Sequence, residues 1–139
     1  MSQLSYAQSE ESLIKVSIDR VFDAMRANDS TLLKTVLHTS CFLKTVVKSK
    51  EGDVKLLEEP IQAFIKAIGT KREAYIYDER LLSYDIKIDG EMAVAWTPYE
   101  FYVNNQFRHC GVDVFTLMKT AEGWKIIGIV DTRRKNCNK

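Results

Sequence analysis

The chain has 139 residues, of which 45% are apolar and 28% are charged, values typical of one soluble globular domain with its own core. Its formal net charge of +1 gives no electrostatic support for nucleic-acid binding, and no apolar run approaches the roughly 20 residues that a membrane helix needs. We therefore expect a single domain over residues 1–139, with loose tails at 1–8 and 135–139.

The cysteines favour a cytoplasmic location. There are three, Cys41, Cys110 and Cys137, an odd number without CxxC spacing. The simplest interpretation is that all three are reduced and that Cys110 is a small strand residue. The N-terminus also lacks the basic start and apolar stretch of a secretory signal.

Two helices are predicted in the first third of the chain. Apolar residues recur at helical spacing from Ile14 to Met25, with Ser9 as a plausible N-cap and a stop at residues 28–29. A shorter helix is expected to begin with Ser30 as its cap.

A small hairpin and a third helix follow. Strands are predicted at 42–48 and 53–58, with the turn at Gly52. The third helix is expected to open at Pro60 and to close at Gly69, because proline suits the start of a helix and glycine its end.

From residue 74 onward, apolar residues tend to recur at every second position, which is typical of strands. Four successive antiparallel strands are predicted within 74–88, 91–103, 107–119 and 124–134. Helices therefore precede and interrupt a long antiparallel sheet, and the fold class is α+β.

The last strands are apolar on both faces. Val112, Val114 and Met118 share one face, and Phe115 and Leu117 share the other. Three helices can cover only one face of a sheet, so we expect a homodimer through the outer sheet face.

The element order and two segments, WTPYEFYVNNQFRHCGVDVFTLMK at 96–119 and GWKIIGIVDTRR at 123–134, resemble the nuclear transport factor 2-like superfamily. More narrowly, they are similar to its lumazine-binding-like bacterial branch. The resemblance implies N-terminal helices packed on a strongly curved, mostly antiparallel sheet that forms a cone with an apolar pocket. It also implies homodimers through the sheet. The functions it implies range from isomerases and dehydratases to binding without catalysis.

The candidate site lies on the third of the four strands. His109, Gly111 and Asp113 share a face, and the Cα atoms of His109 and Asp113 are about 13 Å apart on a straight strand. Gly111 leaves a gap between them. A buried carboxylate tends toward a raised pKa, which suits proton abstraction.

The preceding strand is expected to supply aromatic side chains. Pro98 favours a bulge that brings Trp96 and Tyr99 to one face, with Tyr99 opposite Gly111 and Trp96 opposite Asp113.

That register requires a three-residue turn at 104–106, which pairs Phe101 with His109. A two-residue turn at 104–105 would pair Glu100 with His109 instead.

The last hairpin is also open to two registers. Asp113 faces Val130 in one and Asp131 in the other; we favour Val130, because two facing carboxylates repel or share a proton. Asp131 and Arg133 could form a same-face pair at the rim of the pocket or of the dimer.

The sequence thus predicts a pocket lined by Trp96, Tyr99, His109 and Asp113 that binds a small aromatic or carbonyl ligand. One alternative is an isomerase or dehydratase that needs no cofactor, with Asp113 and His109 as base and acid. A second is a non-catalytic association module, and both residues could also be purely structural. No phosphate loop, GxSxG elbow or metal-ligand spacing is present, so no cofactor or metal is expected.

Overall fold

A computed structural model describes the backbone of residues 3–137 and the side chains of residues 9–137. The ends of both predicted tails, 1–2 and 138–139, lie outside the described residues. The elements, in chain order, are α1 (Gln3–Ala27), α2 (Ser30–Lys34), β1 (Leu37–Lys48), β2 (Val54–Glu59), α3 (Ile61–Gly69), β3 (Tyr77–Leu81), β4 (Asp85–Asp89), β5 (Met92–Val103), β6 (Gln106–Thr120) and β7 (Gly123–Thr132).

The seven strands form one curled sheet in the order β2-β1-β7-β6-β5-β3, and β4 also pairs with β5. Only the β1–β7 pair is parallel. Helices on the concave face of a mostly antiparallel sheet confirm the predicted α+β class. None of the described helices is long and apolar enough to cross a membrane.

The core lies between α1 and the concave face of the sheet. Ile14, Ile18 and Val21 are at most 2% exposed, as the helical period predicts. Phe22 meets Phe115 of β6 edge to face, with ring centroids 6.1 Å apart. This contact anchors the helix over the middle of the sheet.

The N-cap predicted for α1 is wrong. The helix begins at Gln3, so Ser9 lies inside it and residues 3–8 extend the helix. These residues include neither glycine nor proline, so nothing in them stops a helix. The cap of α2 is Asp29 rather than Ser30, since the Asp29 carboxylate accepts a hydrogen bond from the Leu32 amide at 3.0 Å.

The β1–β2 hairpin and α3 form as predicted. Gly52 has φ 94° in the hairpin turn, a conformation that glycine adopts without strain. Pro60 is the N-cap of α3, and the helix ends at Gly69. However, β1 begins at Leu37, five residues earlier than expected.

The strand predicted over 74–88 is two strands. β3 pairs with one half of β5 and β4 with the other, so residues 82–84 leave the ladder beside Pro98. Proline has no N–H to donate, and the interruption falls where the ladder cannot continue.

The C-terminal segment is held by a disulfide between Cys110 and Cys137, whose Cα atoms are 6.1 Å apart. The prediction that all cysteines are reduced is therefore wrong; only Cys41 is free. Arg134 continues the ladder by two backbone hydrogen bonds with Cys110, which brings Cys137 back to β6. The disulfide removes the support that the cysteine count gave to a cytoplasmic location, which stays a prediction.

Candidate functional site

The β5–β6 ladder has the predicted register over the centre of the site. Tyr99 pairs with Gly111, and Phe101 pairs with His109. The bulge that produces this register lies at Arg108, one residue before His109. Tyr99, Gly111, Phe101 and His109 therefore share the concave face.

The predicted position of Trp96 is wrong. Thr97, not Trp96, lies opposite Asp113, because Pro98 stays in the ladder without a bulge. The turn is the two-residue one at 104–105, where both asparagines have positive φ (50° and 65°). Trp96 consequently lies on the convex face of the sheet, and it is 55% exposed.

The gap over Gly111 is filled by protein. The Tyr99 hydroxyl donates a hydrogen bond to the Thr132 carbonyl at 2.6 Å and lies 3.3 Å from His109 Nδ1. A Cβ atom built on Gly111 would overlap that same carbonyl, so glycine permits the close approach of β7. The space between His109 and Asp113 is therefore occupied by a tyrosine.

Asp113 instead faces two other carboxylates. It pairs with Asp131, not Val130, because Ile127 is an extra residue in β7 and shifts the register by one. Glu79 of β3 approaches from the far side of the concave face. Glu79, Asp113 and Asp131 line one cavity of about 110 Å³, here called the acidic cavity.

Sequence reasoning missed Glu79. Tyr77, Glu79 and Leu81 occupy every second position of a predicted strand and therefore share one of its faces. This alternation was the feature of the sequence that could have drawn attention to Glu79. The signal did not show that β3 would pair with Phe101 and turn this face toward Asp113. Only the curl of the sheet brings two residues 34 positions apart into one cavity.

The surroundings of the Asp113 carboxyl favour its neutral form. Burial raises its pKa well above the usual range, and the charge of Glu79 and a hydrogen bond with Glu79 raise it further. Burial also raises the pKa of Glu79, while the hydrogen bond from Asp113 opposes that rise. The two buried carboxyl groups therefore compete for one proton, and burial and the neighbouring charges favour the neutral form of Asp113.

One oxygen of this pair is unsatisfied. Asp113 is 4% exposed, yet its Oδ2 atom has no hydrogen-bond partner among the described residues. Asp131 is better satisfied, since Thr45 Oγ1 donates to its Oδ1 and Arg133 Nε lies 3.6 Å from its Oδ2. The Asp131–Arg133 pair therefore does lie on one face, at the cavity rim.

A second cavity of about 260 Å³ adjoins the first and is here called the histidine cavity. His109 lines it and stacks on Phe101 with ring centroids 4.9 Å apart. Burial and the positive charge of Arg133 lower the His109 pKa, so the ring is neutral at pH 7. Residues lining both cavities are Met25, Phe64, Glu79, Asp131 and Arg133. The predicted acid and base, His109 and Asp113, thus lie in adjoining cavities rather than in one.

The cavities are not arranged as a metal centre. Within the described part of the chain, no three His, Cys, Asp or Glu side chains are placed to hold a metal ion. The arrangement can bind a ligand against apolar walls and can exchange a proton through Asp113 and Glu79.

Several solved structures share this fold. An NTF2-like protein of unknown function from Shewanella baltica is 15% identical, covers 94% of this chain and 98% of its own, and has a TM-score of 0.64. A putative dehydratase of the NTF2-like family from Streptomyces avermitilis is 10% identical, with 91% and 97% covered and a TM-score of 0.69. A function-unknown protein from Mycobacterium tuberculosis is 10% identical, with 99% and 79% covered and a TM-score of 0.73.

At these identities the likeness shows the fold alone. No curated protein matches the chain significantly. Residues 9–130 match the model of the family described as "Putative lumazine-binding". The chain therefore belongs to this family, and its fold is the one seen in solved NTF2-like proteins.

Proposed function

We propose that this chain is a small-molecule-binding domain whose ligand enters the acidic cavity. The observation that carries the proposal is the buried Oδ2 atom of Asp113, which lacks a hydrogen-bond partner among the described residues. Leaving such a group unsatisfied costs about 1–3 kcal/mol, and a donor on a ligand would recover much of that cost. Apolar side chains form the rest of the wall: Val21, Phe22, Met25, Leu43, Phe64, Phe115 and Ile129.

The size of the cavities suits a small ligand. The acidic cavity of about 110 Å³ accommodates little more than one ring, and the histidine cavity gives room for a substituent. This size agrees with the small ligand predicted from the sequence, whose aromatic or carbonyl character remains a proposal. Of the four predicted lining residues, Asp113 lines the acidic cavity and His109 the histidine cavity, whereas Trp96 and Tyr99 line neither.

A thermal-shift screen with flavin precursors, aromatic carbonyls and steroids tests the proposal. A ligand at about 100 times its dissociation constant adds about 2.7 kcal/mol to the free energy of unfolding, so at least one class should raise the melting temperature. Leu43→Trp, which fills the acidic cavity, should abolish the shift. Val46→Trp is the matched control, because Val46 lies on the opposite face of β1.

No shift with any class would contradict the proposal and would favour an association module. A shift that survives Leu43→Trp would place the ligand outside the acidic cavity.

The shared proton favours a second candidate function, an isomerase or dehydratase that needs no cofactor. In this candidate Asp113 and Glu79 exchange the proton, and His109 contributes only from the adjoining cavity. The fold of the Streptomyces avermitilis protein described as a putative dehydratase is compatible with it. Deuterium exchange at carbon next to the carbonyl of a bound ligand, followed by NMR, would reveal the reaction. The exchange should stop in Asp113→Asn while binding persists.

We also propose that the domain is a homodimer through the convex face of the sheet. Met92 and Trp96 of β5 are 54% and 55% exposed there, and Val94 is 36% exposed. Contiguous exposed apolar side chains of this kind mark interaction surfaces.

Sedimentation velocity should give a dimer for the wild-type protein and a monomer for Val94→Glu, because the charge would be buried in the interface. Ile88→Glu is a matched control. Ile88 is also 36% exposed, but it pairs with Ala93, so its side chain lies on the concave face of the sheet and outside the proposed interface. A monomeric wild-type protein would refute the dimer.

A further inference from the structure

We propose that the acidic cavity selects a planar ring with a cationic or N–H-rich head group, such as an amidine. This inference rests on the proposed function and names the ligand chemistry of the same site.

The charge balance of the cavity disfavours an anion. Three carboxyl groups line the cavity, those of Glu79, Asp113 and Asp131, and Arg133 is the one cation among the lining residues. Arg133 lies 3.6 Å from Asp131 and its side chain is 53% exposed, so solvent screens part of its charge. The exposed Glu59 at the mouth adds a further negative charge.

The unsatisfied oxygen specifies the kind of hydrogen bond that a ligand must make. In the ionised form of Asp113, which a bound cation would stabilise, Oδ2 is an acceptor and requires a donor. A carbonyl or carboxylate on the ligand would place acceptor against acceptor, whereas an amidine N–H group would satisfy both Asp113 and a neighbouring carboxylate.

The apolar walls specify the rest of the ligand. Phe22 and Phe115, whose rings meet edge to face, line the cavity together with Phe64 of α3. Aromatic walls favour a flat ring, and they attract a cation through the faces of the rings.

Proton release follows from the same contacts. Burial and the negative charges of Glu79 and Asp131 raise the pKa of Asp113 and so favour its neutral form. Tyr99 lies nearby on β5, but its own pKa is raised by burial and by these carboxylates, so it stays protonated. A ligand cation compensates the negative charges, and the Asp113 proton then leaves to solvent while no bond in the ligand changes.

Isothermal titration calorimetry and NMR titration at pH 7 with three probes of one ring size test the inference: benzamidine (cation), benzyl alcohol (neutral) and benzoate (anion). We expect benzamidine to bind at least about 10-fold tighter than the other two, a factor worth about 1.4 kcal/mol. Titrations in buffers of different ionisation enthalpy should show release of up to about one proton.

Variants separate the contributions. Asp113→Asn should bind benzamidine without proton release, and Glu79→Gln should weaken benzamidine binding about 10-fold. Asp78→Asn is the matched control; Asp78 neighbours Glu79 in β3 but is paired with Arg26 and Arg80, so binding should not change.

The outcomes distinguish this inference from the proposed function. Tighter binding of benzoate or benzyl alcohol than of benzamidine overturns the inference and leaves a binding domain. Failure of all three probes together with a positive thermal-shift screen also overturns it. Failure of the probes and of the screen overturns the proposed function itself.

Discussion

Replacing Asp113 by asparagine is expected to raise the free energy of unfolding by about 1–3 kcal/mol at pH 8 and to leave it nearly unchanged at pH 4. The folded-state pKa of Asp113 is raised above the unfolded value of 3.8, chiefly by burial. Between these two pKa values the folded protein holds an extra proton, so the stability of the wild-type protein falls as the pH rises. Asparagine resembles the protonated acid and does not ionise, which removes this loss.

Urea unfolding of both proteins between pH 4 and pH 8 measures the effect. Asp78→Asn is the control, and it should change the free energy of unfolding in the opposite direction. Burial alone would raise the Asp78 pKa, but hydrogen bonds from Arg80 and Arg26 lower it overall. Removing this charge should therefore destabilise the protein at pH 8 and less so as the pH falls through the lowered pKa. Parallel pH profiles for the wild type and Asp113→Asn would show that Asp113 is ionised in the folded protein, against the shared-proton model.

Reduction of the Cys110–Cys137 disulfide should lower the free energy of unfolding by about 3–4 kcal/mol. The two cysteines are 27 positions apart, and closing a loop of that length restricts the unfolded chain by about this amount. The disulfide also holds the segment that follows β7. This segment comes directly after Arg133, which lies at the rim of the acidic cavity. Reduction should therefore also weaken ligand binding.

Thermal unfolding with and without dithiothreitol measures this effect. Cys137→Ser provides the control, since its stability should match that of the reduced wild type and should not respond to the reductant. Thiols must be counted in denaturant, because burial raises the pKa of Cys41 to about 11 and makes it unreactive in the folded protein. One thiol before reduction and three after it are expected. Three thiols throughout would show that the disulfide does not form.

Local sequence patterns predicted a helix or strand well where its apolar residues recur with a single period and where residues typical of its two ends are present. The helix from Ile61 to Gly69 follows from its apolar stripe with Pro60 and Gly69 at its ends. The alternation in β6 placed Asp113 and Gly111 on the buried face. The apolar stripe of α1 was also clear, although its start was not, because residues 3–8 contain no stop signal.

Registers were harder to predict, because one inserted residue changes every pair beyond it. The bulge expected at Pro98 lies at Arg108, and an unforeseen extra residue at Ile127 turned Asp131 toward Asp113. Neither bulge has a distinctive residue type. Trp96 was consequently assigned to the pocket and in fact lies on the convex face.

The sequence by itself determined the α+β class, the presence of the three helices and the burial of Asp113, because these depend on contacts between near neighbours and on the apolar period. Tertiary structure alone decided what Asp113 meets. Glu79 arrives from β3 through the curl of the sheet, and Asp131 arrives through a bulge in β7. The disulfide, too, depends on Arg134 extending the ladder beside Cys110. These contacts join residues far apart in the chain, and their formation depends on how strands pair and bend rather than on any local pattern.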